Sequence, residues 1–417
     1  MSSVELVSPI PPIMTGTASY MELVGRRIGA IAAALGGVRI VTDGDAWLRD
    51  GLDGEMPRNF CGLEVVSLSE IDPDPAPNVT RVYFLANNDK HVFAHQMLAR
   101  QSATAGGHVV SVLHDPSMFM VHRHMARASE VPFDFEDLVL ASRSQLGASA
   151  ERLMRARVNE WLPDAFDFGV HCMGPALSKS DEIWTHSLYG ANRIRFENDF
   201  SGARCREIRV CAHPTAPDEP AAAGPRRRDD GVFRIGVFGW VTPPKRVDSV
   251  LRGLALALDR MDAPTRRKVR LNIVGRRPPK SDYDPEALAA RLGISGCVEF
   301  VDYPSPKVFS DLISQSDLIF NLRYPSCGES SGTLASAEHL GVRVVASRFQ
   351  AFREAVGVWR FINVAQPYEV WDVADAIVDA MADSARTDPV FAPGLVSGIA
   401  TVDKLIVEKI LKNQLDK

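Results

Sequence analysis

Short apolar runs alternate with longer stretches of helical periodicity along most of the chain. Most of these runs end close to Gly, Pro, Asn or Asp, the residue types that turns require. Apolar runs separated by helices are typical of parallel strands buried on both faces. The pattern predicts strands at residues 4–8, 38–41, 79–86, 109–113, 182–185 and 208–212, and again at 233–238, 269–274, 297–300, 318–322 and 342–346. We therefore expect an α/β protein with helices on both faces of its sheets.

One segment interrupts the alternation. Residues 213–231 hold four prolines, an alanine run and a charge cluster without apolar periodicity, which is typical of a linker. The linker separates an N-terminal domain at 1–212 from a C-terminal domain at 232–395, each large enough to bury its own core. Residues 119–161 have helical periodicity and predict a helical insertion in the N-terminal domain. Residues 396–417 predict a C-terminal helix.

Composition and charge exclude several classes of protein. With 46% hydrophobic and 24% charged residues, the chain is ordinary globular protein rather than disordered or disulfide-stapled. Its formal charge of -5 gives no general attraction to nucleic acid. The six cysteines form no CxxC pair, so neither a zinc site nor a disulfide framework is indicated, and a cytoplasmic location is expected. Neither a signal-peptide pattern nor a bilayer-spanning run occurs, so any membrane contact is expected to be peripheral.

The loop YPSCGESSGT, residues 324–333, is the most informative segment. It follows a predicted strand and opens a helix, where Ser330 and Ser331 supply hydroxyl and N–H groups and Gly332 permits close backbone approach. Such a helix start binds phosphate well. The alternative is a simple helix cap, with Glu329 favourably placed against the helix dipole.

A second loop carries adjacent cations. The segment FGWVTPPKR, residues 238–246, ends another predicted strand and brings Lys245 and Arg246 to the start of a helix. Cations are mildly unfavourable at that end of a helix, so their presence favours a bound anion over a solvated basic pair.

Two segments of the N-terminal half follow strands in the same way. The first, at residues 8–20, places Gly16 and Thr17 before a helix, but it lacks the GxGxxG spacing of a dinucleotide fingerprint. The second, VLHDP at residues 112–116, places His114 at the end of a strongly apolar strand, where it is able to donate a hydrogen bond to a ligand. The alternative for the first segment is a simple strand-to-helix turn without a ligand. The alternative for His114 is a purely structural role.

Taken in order, these segments resemble those of the family 4 glycosyltransferases. These are retaining enzymes in which two Rossmann-like doubly wound domains face a central cleft, the architecture called GT-B. The resemblance covers most of the chain and includes FLANNDKH at 84–91 and IWTHS at 183–187. The loop at 324–333 is similar to that of a bacterial subgroup with a Gly-Glu-Thr/Ser-Ser-Gly donor loop.

The resemblance implies a role for each candidate residue. In such enzymes the first domain receives the acceptor and the second binds a nucleotide sugar. Gly16 and Thr17 would approach the donor phosphates from the first domain, and His114 would lie near the transferred sugar. Lys245 matches the diphosphate-binding lysine of the family, and Arg246 would assist it.

The donor loop would contribute further contacts. Glu329 matches the first acid of the family's Glu-x7-Glu pattern, which holds sugar hydroxyls. The backbone of Ser330, Ser331 and Gly332 would cradle the diphosphate. One departure is that Trp240 stands where the family commonly has an arginine.

A second departure concerns the ribose of the donor. The residue eight beyond Glu329 is Ala337, whereas Glu338 is nine beyond it and rotated by about 100° on a helix. Counting back from Gly341, at the end of the predicted helix, instead places Ser336 at the position of the family's second glutamate. Glu338 is the acidic candidate and is predicted to bind the donor.

The predicted activity is transfer of a sugar, with retained configuration, from a UDP- or GDP-linked donor to a hydroxyl of a glycan or lipid-linked acceptor. No metal and no cofactor are predicted, because the nucleotide sugar is itself a substrate. Bacterial surface polysaccharide synthesis is the implied setting, at the inner face of the membrane. Two alternatives stay open: a catalytically silent nucleotide-sugar or glycan binding protein, and a sugar-nucleotide epimerase. The basic run at 226–228 is followed by acids and favours a solvated linker over lipid contact.

Overall fold

The computed structural model describes residues 3–35, 37–49, 55–102, 106–127, 134–201, 205–214, 230–277, 282–302, 304–383 and 399–415. Most of the predicted linker at 213–231, with its basic run at 226–228, lies outside these ranges. The chain divides into two compact units. The first unit comprises Met1–Pro217, Cys327–Ser330 and Gly398–Lys417, and the second comprises Asp218–Ser326 and Ser331–Ser397.

The first unit is built on an eight-stranded sheet. Its strands are β1 (Ser3–Val7), β2 (Val38–Thr42), β3 (Asn59–Phe60), β4 (Leu63–Ser67), β5 (Val79–Leu85), β6 (His108–Leu113), β7 (Glu182–Thr185) and β8 (Glu207–Val210). Their order is β3-β4-β2-β1-β5-β6-β7-β8, and every pairing is parallel except that of β3 with β4. The strand order therefore reverses between β1 and β5, as in a doubly wound fold.

Helices cover both faces of this sheet. They are α1 (Gly16–Leu35), α2 (Gly44–Arg49), α3 (Val92–Arg100), α4 (Phe119–Arg127), α5 (Phe135–Leu146), α6 (Ala150–Val158), α7 (Gly174–Lys179) and α8 (Leu188–Ser201). Successive side chains of a strand point to opposite faces. Leu6 accordingly belongs to one buried apolar cluster, and Val7 belongs to the cluster on the other face. Helices α4, α5 and α6 occupy the predicted helical insertion.

The second unit has a six-stranded sheet that is parallel throughout. Its strands are β9 (Phe233–Phe238), β10 (Val269–Val274), β11 (Val298–Val301), β12 (Leu318–Asn321), β13 (Val344–Ser347) and β14 (Val358–Ile362). The order is β11-β10-β9-β12-β13-β14, so the direction of winding reverses between β9 and β12. Its helices are α9 (Val247–Asp259), α10 (Ala263–Arg266), α11 (Pro285–Arg291), α12 (Pro306–Ser314), α13 (Gly332–His339) and α14 (Glu369–Ala382).

The last helix, α15 (Val402–Leu415), belongs to the first unit. Its buried residues Val402 and Ile406 join the apolar cluster around Leu6. The ammonium of Lys409 also donates to the carboxylate of Glu182, at the start of β7. The predicted C-terminal helix is thus held by both apolar packing and an ion pair. None of the described helices combines the length and apolar character that crossing a bilayer requires.

Candidate functional site

The predicted basic loop follows β9 at the point where the second sheet reverses its winding. Gly239 has φ 101°, and a Cβ atom there would come within 2.9 Å of the Lys245 Nζ. A Cβ on Gly275 would meet the Gly239 carbonyl oxygen at 2.0 Å. Both positions therefore require glycine, for backbone conformation and for close approach. Lys245 is only 7% exposed, and its ammonium donates to the Phe238 carbonyl oxygen at 2.9 Å.

The serine-rich loop follows β12, the strand next to β9. The Tyr324 N–H donates to the Pro244 carbonyl oxygen at 2.9 Å, so this loop is tied to the basic loop within the second unit. Ser331 is the N-cap of α13, where its hydroxyl accepts from the Leu334 N–H and donates to Asn321 Oδ1. Gly332 is exposed, and among the described residues no atom outside its chain neighbours and its own helix lies within 4 Å of a Cβ placed there, so the first turn of α13 opens to solvent. The predicted helix cap is present, and phosphate binding there stays a prediction.

Arg246 has a protein partner that the sequence did not indicate. Its guanidinium donates to both carboxylate oxygens of Glu369, from Nε at 2.8 Å and from Nη2 at 2.9 Å. This pair raises the pKa of Arg246. Arg246 has φ 55°, the left-handed conformation that glycine favours. The ion pair with the buried Glu369 therefore compensates for an unfavourable backbone conformation, and donor contact by Arg246 stays a prediction.

Glu338 supports a neighbouring loop. Its Oε1 accepts from the N–H groups of Val356 and Gly357, both at 3.0 Å. Burial raises the pKa of this carboxyl group. The other oxygen, Oε2, accepts no hydrogen bond from the described part of the chain. Contact of Glu338 with the nucleotide-sugar donor stays a prediction, and Oε2 is the atom that would make it.

In the first unit, the start of α1 meets the segment after β5 where that sheet reverses its winding. The Thr17 hydroxyl is hydrogen-bonded to His91 Nε2. His91 Nδ1 donates to the Phe84 carbonyl oxygen at 2.8 Å, so Nε2 is the acceptor for Thr17. Burial lowers the pKa of His91 to about 4, and the ring is neutral at physiological pH. Gly16 begins α1, and no atom of the described residues outside its chain neighbours and its own helix lies within 4 Å of a Cβ placed there.

His114 lies in a group of aromatic rings at the same edge. Its ring packs edge-on against Tyr20, with ring centroids 4.6 Å apart, and lies 5.4 Å from the His186 ring. His186 accepts from the Tyr20 hydroxyl at 3.1 Å and donates to the Cys211 carbonyl oxygen at 3.0 Å. His114 Nε2 is buried and has no hydrogen-bond partner in the described structure. Burial holds the pKa of His114 well below its usual value, so this nitrogen belongs to a neutral ring.

Glu329 and Ser330 lie in the segment Cys327–Ser330, which belongs to the first unit. The Ser330 hydroxyl is hydrogen-bonded to His213 Nε2 at 2.6 Å. A Cβ on Gly328 would approach the Tyr189 ring to 2.8 Å. Burial, together with the charge of Glu329, raises the pKa of Tyr189. The two residues of the predicted donor loop thus lie beside tyrosine and histidine side chains from the carboxyl edge of the first sheet.

Sequence reasoning missed several members of this edge: Tyr20, His91, His186 and His213. A signal was available, because each of these histidines follows a strand by a few residues, as His114 does. The described residues contain no group of three or more His, Cys, Asp or Glu side chains arranged to hold a metal ion. Burial lowers the pKa values of His91, His114, His186 and His213, so these rings are neutral hydrogen-bonding groups.

Comparison with solved structures identifies the class of fold. The chain is similar to HepE of Anabaena in complex with UDP and glucose, with a TM-score of 0.58, 13% identity, and coverage of 98% of this chain and 100% of that one. It is also similar to the sucrose-phosphate synthase of Thermosynechococcus elongatus, with a TM-score of 0.55, 12% identity and 100% of both chains covered. A third match is the apo form of the lipopolysaccharide outer core galactosyltransferase WaaB, with a TM-score of 0.53, 13% identity, and 98% and 99% coverage.

No family model and no curated protein matches the chain by sequence. At these identities the structural likeness establishes the fold alone. The chain has the GT-B fold, with two Rossmann-like doubly wound units, and the predicted fold class is confirmed.

Proposed function

We propose that the chain is a retaining glycosyltransferase, similar to those of family 4, that moves a sugar from a UDP- or GDP-linked donor to a hydroxyl of a glycan or lipid-linked acceptor. HepE, which shares the fold, was crystallised with UDP and glucose and also with UDP-glucose. WaaB, which also shares it, is named as a lipopolysaccharide galactosyltransferase. These names support a nucleotide-sugar donor and a bacterial surface polysaccharide as the setting, with a cytoplasmic location as part of the proposal.

One observation carries the proposal. The hydrogen bond from Tyr324 N–H to the Pro244 carbonyl joins the loop that bears Lys245 to the loop that leads into α13. Both loops leave the carboxyl ends of β9 and β12, where the winding reverses. Ligands of doubly wound sheets bind at such a point. An ammonium group and the open first turn of a helix are there on adjacent strands, which is the combination that a diphosphate needs.

The difficulty of the reaction is charge. The bond between the anomeric carbon and the diphosphate breaks, negative charge grows on the phosphate oxygens, and the sugar becomes oxocarbenium-like. In this proposal Lys245 and the N–H groups around Ser331 and Gly332 stabilise the departing diphosphate more than the bound donor. The acceptor hydroxyl attacks the face from which the diphosphate leaves, so the configuration is retained without a protein nucleophile.

Residues of the first unit are proposed to bind the transferred sugar and the phosphates of the donor. His114, whose buried Nε2 has no hydrogen-bond partner among the described residues, is proposed to hydrogen-bond the transferred sugar. Glu329 is proposed to accept from sugar hydroxyls, and Ser330 to contribute to the diphosphate cradle. Gly16 and Thr17 are proposed to approach the phosphates. The bond between Thr17 and His91 fixes that hydroxyl at the start of α1.

A catalytically silent binding protein is the second candidate. Trp240, 38% exposed, stands where a phosphate-binding arginine is common in the resembled family. Glu338 Oε1 is occupied by backbone N–H groups. Both features reduce the number of side-chain groups that would bind the nucleotide-sugar donor during catalysis.

Hydrolysis of the donor in the absence of acceptor separates the two candidates. The full chain is incubated with a panel of UDP- and GDP-sugars, and released nucleotide and sugar anomer are followed alongside the Kd for each donor. We expect slow release with retained configuration from at least one donor. Affinity without release supports the binding protein, and a converted nucleotide sugar identifies an epimerase. The absence of both affinity and release overturns the proposal.

A further inference from the structure

Arg193 differs from the other shielded arginines of the first unit. Arg39, Arg81, Arg123 and Arg157 each form an ion pair with a carboxylate. Arg193 forms no such pair with any described residue. Its Nε is buried and has no hydrogen-bond partner in the described structure. A guanidinium N–H left in this way is costly unless a ligand accepts from it.

A buried relay fixes the orientation of Arg193. Its Nη2 lies 3.2 Å from His171 Nδ1 and 3.3 Å from His171 Nε2. His171 Nδ1 is hydrogen-bonded to the carboxylate of Glu197, which is fully buried and also accepts from the Ser144 hydroxyl at 3.0 Å. The Arg193 Nη2 lies beside both ring nitrogens, and because Nδ1 donates to Glu197, Nε2 is the nitrogen whose lone pair is able to accept from it. The carboxylate one turn away on the same helix is therefore committed to His171 and Ser144.

The position of Arg193 relates this group to the proposed reaction. Arg193 lies one turn beyond Tyr189 on α8, which begins just after the carboxyl end of β7. The Tyr189 ring lies next to Gly328, and burial together with the charge of Glu329 raises the pKa of Tyr189. The guanidinium also lies 6.0 Å from the centroid of the Phe196 ring, an exposed aromatic surface of the kind that packs against sugars. Arg193 is thus one helical turn from Tyr189, and the charges of both Arg193 and Glu329 act on that residue.

We propose that Arg193 binds an oxyanion on the acceptor, so that the acceptor is a saccharide bearing a phosphate or carboxylate group. This inference rests on the proposed function, because it assigns the acceptor side of the same reaction. Guanidinium takes both kinds of oxyanion through paired N–H donors. His171 and Glu197 are positioning residues, since they act through Arg193.

Binding of small oxyanions to the full chain tests the inference. Inorganic phosphate, glucuronate and glucose are titrated by ligand-observed NMR in saturating UDP, which occupies the proposed diphosphate site. We expect phosphate or glucuronate to bind at least tenfold more tightly than glucose, and the stronger of the two identifies the source of the oxyanion. Arg193→Gln should raise the Kd for that probe about tenfold or more. Arg193→Lys keeps the positive charge but loses the paired N–H donors of the guanidinium. Its Kd for that probe should lie between those of the wild type and Arg193→Gln.

Arg195→Gln is the matched control, because Arg195 lies on the same helix, is exposed, and donates hydrogen bonds to Asn192 and the Ile208 carbonyl. Its Kd values should equal those of the wild type. Equal Kd values for wild type and Arg193→Gln, with both folded by thermal melting, overturn the inference. Binding and hydrolysis of UDP-glucose by the wild type are measured in parallel. If they persist while the Arg193 effect is absent, only the oxyanion inference fails. If no nucleotide sugar binds, the proposed function fails.

Discussion

Both units contain a doubly wound sheet, but they differ in the charge at the carboxyl edge of that sheet. Nine of the ten histidines precede residue 217, and His339 is the one that follows it. Burial lowers the pKa of six histidines in the first unit: His91, His95, His114, His122, His186 and His213. The corresponding edge of the second sheet carries Lys245 and Arg246. One edge is therefore lined with neutral rings, and the other carries permanent cations.

The difference teaches that topology fixes where a site lies, whereas the residues after the strands decide what it binds. A neutral imidazole donates or accepts a hydrogen bond without adding charge, which suits a sugar hydroxyl. An ammonium beside N–H groups suits a diphosphate. The same contrast makes the two units respond differently to acid, to the loss of one cation and to a change of backbone conformation.

The largest expected effect is selective loss of stability of the first unit in acid. His91, His122 and His186 have pKa values of about 4 in the folded state, against 6.5 when unperturbed. A lowered histidine pKa means that the unfolded state binds the proton more tightly. The stabilisation is complete above about pH 6.5 and is lost as the pH falls towards 4. Between pH 7 and 5 the loss in free energy of unfolding amounts to about 2 kcal/mol for each histidine, or about 6 kcal/mol for the three together.

Pulsed hydrogen exchange during urea unfolding, read by mass spectrometry, reports the two units separately. Between pH 7 and 5, His91→Gln should reduce the acid-induced loss in the free energy of unfolding of the first unit by about 2 kcal/mol. His124→Gln is the control, because His124 is exposed on α4 and should leave the pH dependence unchanged. In the second unit, the raised pKa of Glu338 acts in the opposite direction and favours the folded state in acid. Equal acid sensitivity of the two units would contradict the comparison.

The next effect concerns the cationic edge. Lys245→Ala should lower turnover of the preferred donor by about a hundredfold or more, since a preorganised donor to developing charge contributes about 2.7 to 4 kcal/mol. The variant also loses the hydrogen bond to the Phe238 carbonyl, which should cost about 1 kcal/mol of folding stability. Steady-state kinetics with the donor identified by the hydrolysis panel measures the first effect, and urea unfolding measures the second.

Lys307→Ala is the matched control for Lys245→Ala. Lys307 lies on α12 of the same unit, where its ammonium is exposed and pairs with Asp311 at 2.7 Å. Its removal should leave turnover unchanged. A diphosphate role also predicts that Lys245→Ala weakens UDP binding more than UMP binding. Unchanged turnover in Lys245→Ala would remove the lysine from the reaction.

Most strands of both sheets could be predicted from the sequence because buried parallel strands are continuous apolar runs. The predicted strands at 233–238 and 269–274 coincide with β9 and β10. Three strands were missed: β3, which has only two residues, β4 and β14. In β4 the exposed Glu64 interrupts a short apolar run, and in β14 most residues are only partly buried, as expected at the edge of a sheet. Weak burial gives a weak sequence signal.

The site could be predicted less completely, because many of its partners are distant in sequence. The loops around Lys245 and Ser331 were located correctly after adjacent strands, since a turn after an apolar run is a local pattern. The pairing of Arg246 with Glu369 joins residues 123 positions apart, and nothing local indicates it. The stacking of His186 on His213 likewise arises only when β7 and β8 are brought side by side.

The smallest expected effect separates the side chain of Arg246 from its backbone. Both Arg246→Ala and Arg246→Gly leave the buried Glu369 without its guanidinium, so both should lower stability by a few kcal/mol. Glycine adopts the left-handed conformation of this residue, with φ 55°, without steric cost, whereas alanine does not. Arg246→Gly should therefore be more stable than Arg246→Ala by about 1 kcal/mol in urea unfolding. The same pair of substitutions at Arg252, in the middle of α9, is the control and should give the reverse order, because glycine is about 1 kcal/mol worse than alanine within a helix. If Ala and Gly are equally stable at position 246, the left-handed backbone is not a constraint there, and the pairing with Glu369 alone accounts for the arginine.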